Sequence, residues 1–306
     1  MTTRTERNEE KQKEIIQQEK RELHKKVIIS SIKIICILII LSLVFLLYTT
    51  YISSKVVVVK EERITNEKIP ESFNGIKIIQ VTDIHYGSTT TIDDIKKLVT
   101  LINRRSPDLV VFTGDLVDKN YQLKSKEQEK LINQLKKITS TIGKYAVFGE
   151  EDGETFTTIM NQSEFIILDN QYELIYNNSN SPILLIGLNS SLNEKIDIDK
   201  GYEYFNEPTH NSNIYTITLL HEPDSVDEIQ TSYHTDLFLA GHSHNGQIAI
   251  PYIGGILRKD GAREYVNEYY ELNEGKLYIS SGIGTTGNGL RLFCHPSINF
   301  FRLSSE

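Results

Sequence analysis

Short apolar runs that stop abruptly at acidic and histidine residues narrow the folds open to this chain more than any other feature. "GIKIIQV" leads through "TDIH" to Asp83 and His85, "DLVVFTG" leads to Asp115 and Asp118, and "KYAVFG" leads to Glu150 and Glu151. Two helical patterns separate these runs. In "TIDDIKKLVTLINRRSP", Ile92, Ile95, Leu98, Val99 and Ile102 recur at helical spacing behind the capping residue Thr91; "KSKEQEKLINQLKKIT" predicts a second, charged helix. The strand-helix-strand-helix-strand order predicts a parallel sheet with right-handed crossovers. The second half is richer in strand-like runs ("FIILDN", "YELIY", "ILLIGL", "IYTITLLHEP", "DLFLAGHSH", "GQIAI", "KLYISSGIG", "SINFFRL"), with one helix near Asp224–Thr231. An α/β sandwich of two sheets with helices outside, in one domain, is the simplest accommodation. Neither a solenoid-like repeat nor a low-complexity tract beyond the N-terminal charge run is visible.

That domain is expected over residues 71–306, after a charged connector over 52–70 in which "KVVVV" offers a first strand. Ahead of it lies a very different segment. Residues 1–26 carry eight Lys/Arg and six Asp/Glu, and residues 27–51, "VIISSIKIICILIILSLVFLLYTTY", contain Lys33 as their only charge. With Lys33 snorkelling, such a segment can cross the roughly 30 Å hydrocarbon core of a bilayer. A cleaved signal peptide would need a site of small residues, and the first alanine in the chain is Ala146. A transmembrane helix over 27–51 is therefore expected, with a charged cytoplasmic tail over 1–26 and the domain outside, because basic residues crowd the N-terminal side. The formal net charge of -8 argues against nonspecific nucleic-acid binding. No protein partner is evident. Cys36 and Cys294 lie far apart in unlike contexts, which excludes a disulfide framework or a cysteine-rich zinc module.

The chemistry lies at the strand ends, where open α/β sheets form their sites. Asp83, His85, Asp115, Asp118, Glu150, Glu151, His221, His242 and His244 all follow apolar runs, as if deposited along one rim. One histidine after a strand is usually a hydrogen-bonded core residue; five such placements supplying carboxylates and imidazoles are hard to explain as turns. Mixed Asp/His ligation suits divalent Mn, Fe or Zn, and a carboxylate bridge allows two ions about 3.5–4 Å apart.

Over residues 71–306 the sequence resembles the calcineurin-like metallophosphoesterases, whose blocks are D-x-H, G-D-x-x-D, G-N-H-[DE], a lone His and G-H-x-H. "DIH", "GDLVD", the His of "LLHEP" and "GHSH" supply four of the five in order, and "GHSHNGQIAIP" and "SSGIGTTGNGLR" look like the membrane-associated or exported bacterial branch. The resemblance implies a four-layer αββα sandwich, preceded here by one N-terminal transmembrane helix. It implies a two-metal hydrolase of phosphate esters, acting by in-line attack on phosphorus by a water activated between the ions. By position, Asp83, His85 and His244 would hold one ion and His221 and His242 the other, with Asp115 between them. Asp118 would orient the residue of the third block. The anchor favours a lipid-linked or envelope phosphate as substrate.

The third block departs from the pattern. "GEED" puts Glu150 at the asparagine position, as a metal ligand, and Glu151 at the catalytic histidine. Beside Asp118, one of two neighbouring carboxylates should have a raised pKa, and a protonated Glu151 would serve as general acid. The alternatives are a pseudoenzyme that binds metal or a phosphate ligand without turnover, and a loosened turn in which both glutamates face solvent. Asn245 and Gln247 are read as turn residues beside the ligands, with substrate contact the alternative; Arg291 as an ion-paired rim residue or a phosphate partner; His210, His234 and His295 as structural or exposed; and Cys294 as a core thiol.

Overall fold

The computed structural model describes residues 4–49, 53–193, 196–250, 252–287 and 289–305. The chain divides into two units, 1–49 and 50–306. The first is one helix, α1 (Arg4–Leu47), which runs continuously through the charged tail and the apolar segment. Its apolar part is long and apolar enough to cross a membrane. The expected end of the span at Tyr51 lies outside the described residues.

The second unit contains two six-stranded sheets. Chain order is β1 (Val58–Thr65), β2 (Lys77–Val81), α2 (Ile92–Asn103), β3 (Leu109–Thr113), α3 (Ser125–Leu135), β4 (Gly143–Val147), α4 (Glu154–Gln162) and β5 (Ile166–Ile167). Then come β6 (Gln171–Ile175), β7 (Ile183–Gly187), α5 (Ile198–Gly201), β8 (Thr216–Leu219), α6 (Ser225–Gln230), β9 (Leu237–Ala240) and the hairpin β10 (Ala249–Ile250) and β11 (Gly254–Gly255). β12 (Tyr269–Glu271), β13 (Lys276–Ile279) and β14 (Ser297–Ser304) close the fold. One sheet runs β1-β14-β2-β3-β4-β5, the other β12-β13-β9-β8-β7-β6.

Alternation along the strands builds three cores and four layers. In β3, Val110 and Phe112 point outward to Ile95, Leu98, Leu131 and Ile159 of α2–α4. Leu109 and Val111 point inward, meeting Leu185, Ile217, Leu219 and Leu239 of the second sheet. On that sheet's far face, Ile186 and Phe238 pack on Val226 and Ile229 of α6 and on Tyr202. Both sheets are covered on both sides, which is why their strands read as unbroken apolar runs. The expected αββα sandwich is present. Thr91 caps α2 in a capping box with Asp94.

The connector is corrected. β1 lies inside residues 52–70 and pairs in parallel with β14 along its whole length, from Val58 opposite Ser297 to Thr65 opposite Ser304. Only the end of "KVVVV" belongs to it. The consecutive charges at residues 60–63 in "VVKEERIT" hid most of the strand, and charged side chains are a common feature of edge strands.

Candidate metal centre

Parallel pairing brings the polar strand ends together. β2, β3 and β4 run in parallel, as do β8 and β9. Their C-terminal ends therefore deliver Asp83, His85, Asp115 and Glu150 from one sheet, and His221, His242 and His244 from the other. Gln80 ties the two sheets beneath the site: its side-chain amide donates to Thr113 Oγ1 at 3.1 Å and to the Ala240 carbonyl at 2.8 Å.

Sharp turns make the convergence possible. Asp83, His85, Asp115, His242 and His244 all have positive φ, between 45° and 64°. Five of the seven candidate ligands thus occupy a conformation that non-glycine residues seldom adopt and that concentrates at functional sites. Glycine is required where the loops touch. A Cβ on Gly149 would run into the Asp115 carboxylate and amide, and one on Gly241 into Thr82 and the Asp83 carboxylate.

Asp83, Asp115, His85, His221, His242 and His244 are all essentially buried. Asp83 Oδ1 lies 3.2 Å from His244 Nε2 and 3.8 Å from His85 Nε2. Asp115 Oδ2 lies 3.3 Å from His221 Nε2 and 3.7 Å from His85 Nε2, so it belongs to both halves of the cluster. Asp83, His85 and His244 form one compact group, and Asp83, Asp115 and His221 another.

Four atoms here are buried without any hydrogen-bond partner: Asp83 Oδ1, Asp115 Oδ2, His221 Nε2 and His242 Nδ1. Orphaned buried polar atoms are rare and costly. The other ring nitrogens of the two histidines are engaged, His221 Nδ1 with the Thr113 carbonyl at 2.6 Å and His242 Nε2 with the Asp260 carbonyl at 2.6 Å. Those bonds need N–H donors, so in the neutral rings the unpartnered nitrogens carry lone pairs aimed inward, the arrangement of metal-binding histidine. Two anionic oxygens and inward imidazole nitrogens form a donor set that fits divalent transition metals.

Carboxylates and imidazoles packed this closely perturb one another strongly. Burial opposes ionisation of Asp83 and Asp115, yet facing histidines hold both well below the usual carboxylate range. Burial also pulls the His85 imidazolium down, but Asp83 and Glu151 push its pKa up to about 10. His221 is likewise driven up against its burial by Asp115. His242 and His244 go the other way, mainly because they are buried, His244 to about 3.

The "GEED" turn folds against this cluster rather than facing solvent in the loosened alternative. Glu150 Oε1 lies 3.6 Å from the unpartnered His242 Nδ1 and 3.8 Å from Lys259 Nζ. Burial raises its pKa, with Lys259 opposing. Glu151 accepts from His85 Nδ1 at 3.2 Å and from the Lys119 amide at 3.0 Å, and Lys119 Nζ stands 3.7 Å away.

The expected rise in the Glu151 pKa beside Asp118 is corrected. Asp118 accepts from the Asn120 amide at 2.9 Å, and the Glu151 pKa is lowered because His85 outweighs its burial. Glu151 stands as a carboxylate, an acceptor rather than an acid.

Asp152, given no role above, holds the turn. Its carboxylate accepts from the amides of Asp115 (2.7 Å), Gly149 (2.9 Å) and Leu116 (3.0 Å). Burial and the adjacent Asp115 charge push its pKa up to about 7 against the pull of those amides. An Asp between an acidic pair and a glycine turn gives no sequence hint of such a reach.

Arg291 is also corrected, from rim to interior. It is fully buried, donates from Nη2 to the carbonyls of Ser281 (2.6 Å) and Gly284 (2.5 Å), and places that nitrogen 3.3 Å from His244 Nδ1. Cys294 is buried and donates to the His244 carbonyl. Asn245 and Gln247 fix neighbouring segments through Glu268 and Thr286. His210 stacks on Tyr204, His234 pairs with Asp236 and Glu274, and His295 bonds the Ser53 carbonyl, all structural roles.

The family model for the calcineurin-like phosphoesterases matches residues 76–246, more than half of the chain. The chain belongs to that family. Among its relatives in the calcineurin-like phosphoesterase family, the uncharacterized metallophosphoesterase YkuE of Bacillus subtilis is 29% identical over 82% of this chain and 86% of its own length. The UDP-2,3-diacylglucosamine pyrophosphatase LpxG of Chlamydia muridarum is 23% identical over 78% of this chain and 88% of its own. The phosphodiesterase YaeI of Escherichia coli is 26% identical over 74% and 82%. Against a 30% identical Campylobacter jejuni metallophosphoesterase, the chain spans 64% of the relative's length.

Proposed function

We propose that this calcineurin-like phosphoesterase is a membrane-anchored, two-metal hydrolase of phosphate esters whose substrate is a lipid-linked or envelope phosphate. The observation that carries the reading is the set of four buried, unpartnered ligand atoms gathered around Asp115. Asp83, His85 and His244 would hold one divalent ion and His221 and His242 the other, with Asp115 between them and Glu150 on the His242 side. Such ions supply Lewis acidity toward phosphate oxygens and lower the pKa of water.

The chain's own groups do the rest. Thr113 and Asp260 carbonyls fix the tautomers of His221 and His242. Glu151 orients His85, and Asp118 shapes the turn that presents Lys119. Lys119 and Lys259 put positive charge beside the two glutamates, which offsets the repulsion an anionic phosphate would meet there. The name of LpxG, with its diacylglucosamine substrate, supports an amphiphilic phosphoester. The apolar stretch of α1 supports single-pass anchoring. The basic residues ahead of it favour a cytoplasmic N-terminus and an extracytoplasmic folded unit.

Hydrolysis of an aryl phosphodiester by the full chain with Mn²⁺, abolished in Asp115→Asn, tests the reading; no turnover in the wild type rejects it. A second reading is favoured by the ionised state of Glu151, which leaves no proton donor at the position of the family's histidine: a metal-bound, non-hydrolytic phosphate binder. Turnover absent in the wild type and gained in Glu151→His would establish it.

A further inference from the structure

Among the described residues of the folded unit, twelve large apolar side chains are exposed, and six of them fall on one small region: Ile250, Tyr252, Ile253, Ile256 and Leu257 on the β10–β11 hairpin and its exit, and Phe293. Tyr252 is fully exposed, and Ile253 and Phe293 are 72% and 64% exposed. The Ala249 amide donates to the Leu292 carbonyl at 2.9 Å, which sets Phe293 beside the hairpin's root. A concentration of this kind on a soluble surface marks a binding face. Both aromatics have positive φ, 71° at Tyr252 and 52° at Phe293, an unfavourable conformation for bulky residues.

The base of the same excursion is built into the metal centre. The hairpin leaves directly from His244–Gln247, and the Ile256 amide returns to the Ile248 carbonyl at 2.9 Å. Beyond it, Lys259 faces Glu150 and the Asp260 carbonyl engages His242. The amides of Arg263, Glu264 and Tyr265 all donate to the Asp224 carboxylate, at 2.6, 3.1 and 3.0 Å. The base is pinned while the tip is free.

Charge selects the occupant. No charged residue lies between Ile248 and Leu257, and residues 258–265 carry three cations (Arg258, Lys259, Arg263) against two anions (Asp260, Glu264). Asp224 and Glu150 face the same base and balance its cations. An uncharged tip bearing an aromatic side chain over a base of mixed charge fits a lipid interface, and the same chain carries a helix able to cross a bilayer.

We propose that residues 248–257 together with Phe293 form an interfacial finger that inserts into a lipid leaflet and presents the Asp115-centred site to phosphoesters held in that leaflet. The substrate part rests on the hydrolase reading; the insertion does not.

The chain contains no tryptophan, so single substitutions report cleanly. The full chain bearing Tyr252→Trp, Phe45→Trp in α1, or Tyr176→Trp at an exposed position just past β6, three strands from β9 at the edge of the same sheet, is mixed with phosphatidylcholine–phosphatidylglycerol vesicles containing chain-brominated lipid. The proposal predicts blue-shifted, bromine-quenched emission from the Tyr252→Trp chain and unquenched emission from the Tyr176→Trp chain. Unquenched emission from Tyr252→Trp overturns it, whether Phe45→Trp is quenched or not. A blue shift in Tyr252→Trp that grows with protein concentration at fixed lipid identifies a second copy of the chain as the occupant and also overturns it. Ile253→Asp should cut hydrolysis of a vesicle-embedded phosphodiester by about tenfold, the worth of one buried apolar side chain, and leave a water-soluble aryl phosphodiester unchanged. Equal loss on both, or loss on neither, contradicts the finger. Quenched emission from Tyr252→Trp, in an otherwise wild-type chain that hydrolyses neither substrate, would keep the insertion and remove the hydrolase reading.

Discussion

Replacing Arg291 with methionine tests how the centre is held from behind. The guanidinium is fully buried, and two of its contacts are short, to the carbonyls of Ser281 at 2.6 Å and Gly284 at 2.5 Å. Hydrogen bonds to a charged group contribute about 1.5–3 kcal/mol each, so about 3–6 kcal/mol is lost with these two. Removing the charge returns part of that, because Arg291 sits buried without a carboxylate partner among its contacts and its pKa is lowered by burial. The net expectation is a destabilisation of about 2–4 kcal/mol, or at least about thirtyfold in the folding equilibrium. Arg291→Lys should lose less, since it keeps a charge and one donor direction but not the fork.

A second effect follows from the 3.3 Å approach of Arg291 to His244 Nδ1. Loss of the guanidinium that packs behind the ring and holds the Ser281–Gly284 backbone should let His244 shift and weaken metal binding by about tenfold. Urea unfolding of the full chain in detergent, followed by circular dichroism, reads the first effect; Mn²⁺ titration reads the second. Stability within about 0.5 kcal/mol of wild type, with unchanged metal affinity, would refute the assignment of Arg291 as the brace of the site.

Other consequences can be checked in the same preparations. Asp152→Ala strips the partner from three buried amides, each costing about 1–3 kcal/mol when unsatisfied; hydrogen exchange at Asp115, Leu116 and Gly149 should accelerate by about 100-fold or more, while α2 stays protected. Glu150→Ala should lower occupancy at the His221–His242 side only; retention of both ions would remove Glu150 from the ligand set. Asp94 is partly buried, which favours its neutral form, but Lys55 at 2.9 Å and Thr91 hold its pKa below the ordinary 3.8. Its contribution is therefore present above that value and lost as pH falls through the lower folded one. Because the pair lies at the surface with Lys55 exposed, Asp94→Asn should remove only a few tenths of a kcal/mol of the acid-induced loss, seen as a flatter unfolding profile below about pH 4.

Much of this architecture was legible because burial on both faces writes strands as apolar runs. β2, β3, β8 and β9 are of that kind, and the residues that end them form the site. The edge strand β1 was only half seen, since after the valines of "KVVVV" the run "KEER" is four consecutive charges and reads as a linker. α4 was missed because its sequence, "ETFTTIMNQ", lacks strong helix formers and is stabilised by burying Phe156, Ile159 and Met160. The expected rise in the Glu151 pKa failed for a tertiary reason: His85, held at positive φ, brings its Nδ1 within 3.2 Å of the Glu151 carboxylate. The buried role of Arg291 was equally invisible, because backbone carbonyls, its main partners, leave no trace in a sequence.

Anomalous diffraction from crystals of the full chain grown with Mn²⁺ tests the central claim most directly. Two peaks about 3.5–4 Å apart, one on each side of Asp115, are the predicted result. A single peak, or peaks away from Asp83, His85, His221, His242 and His244, would contradict it.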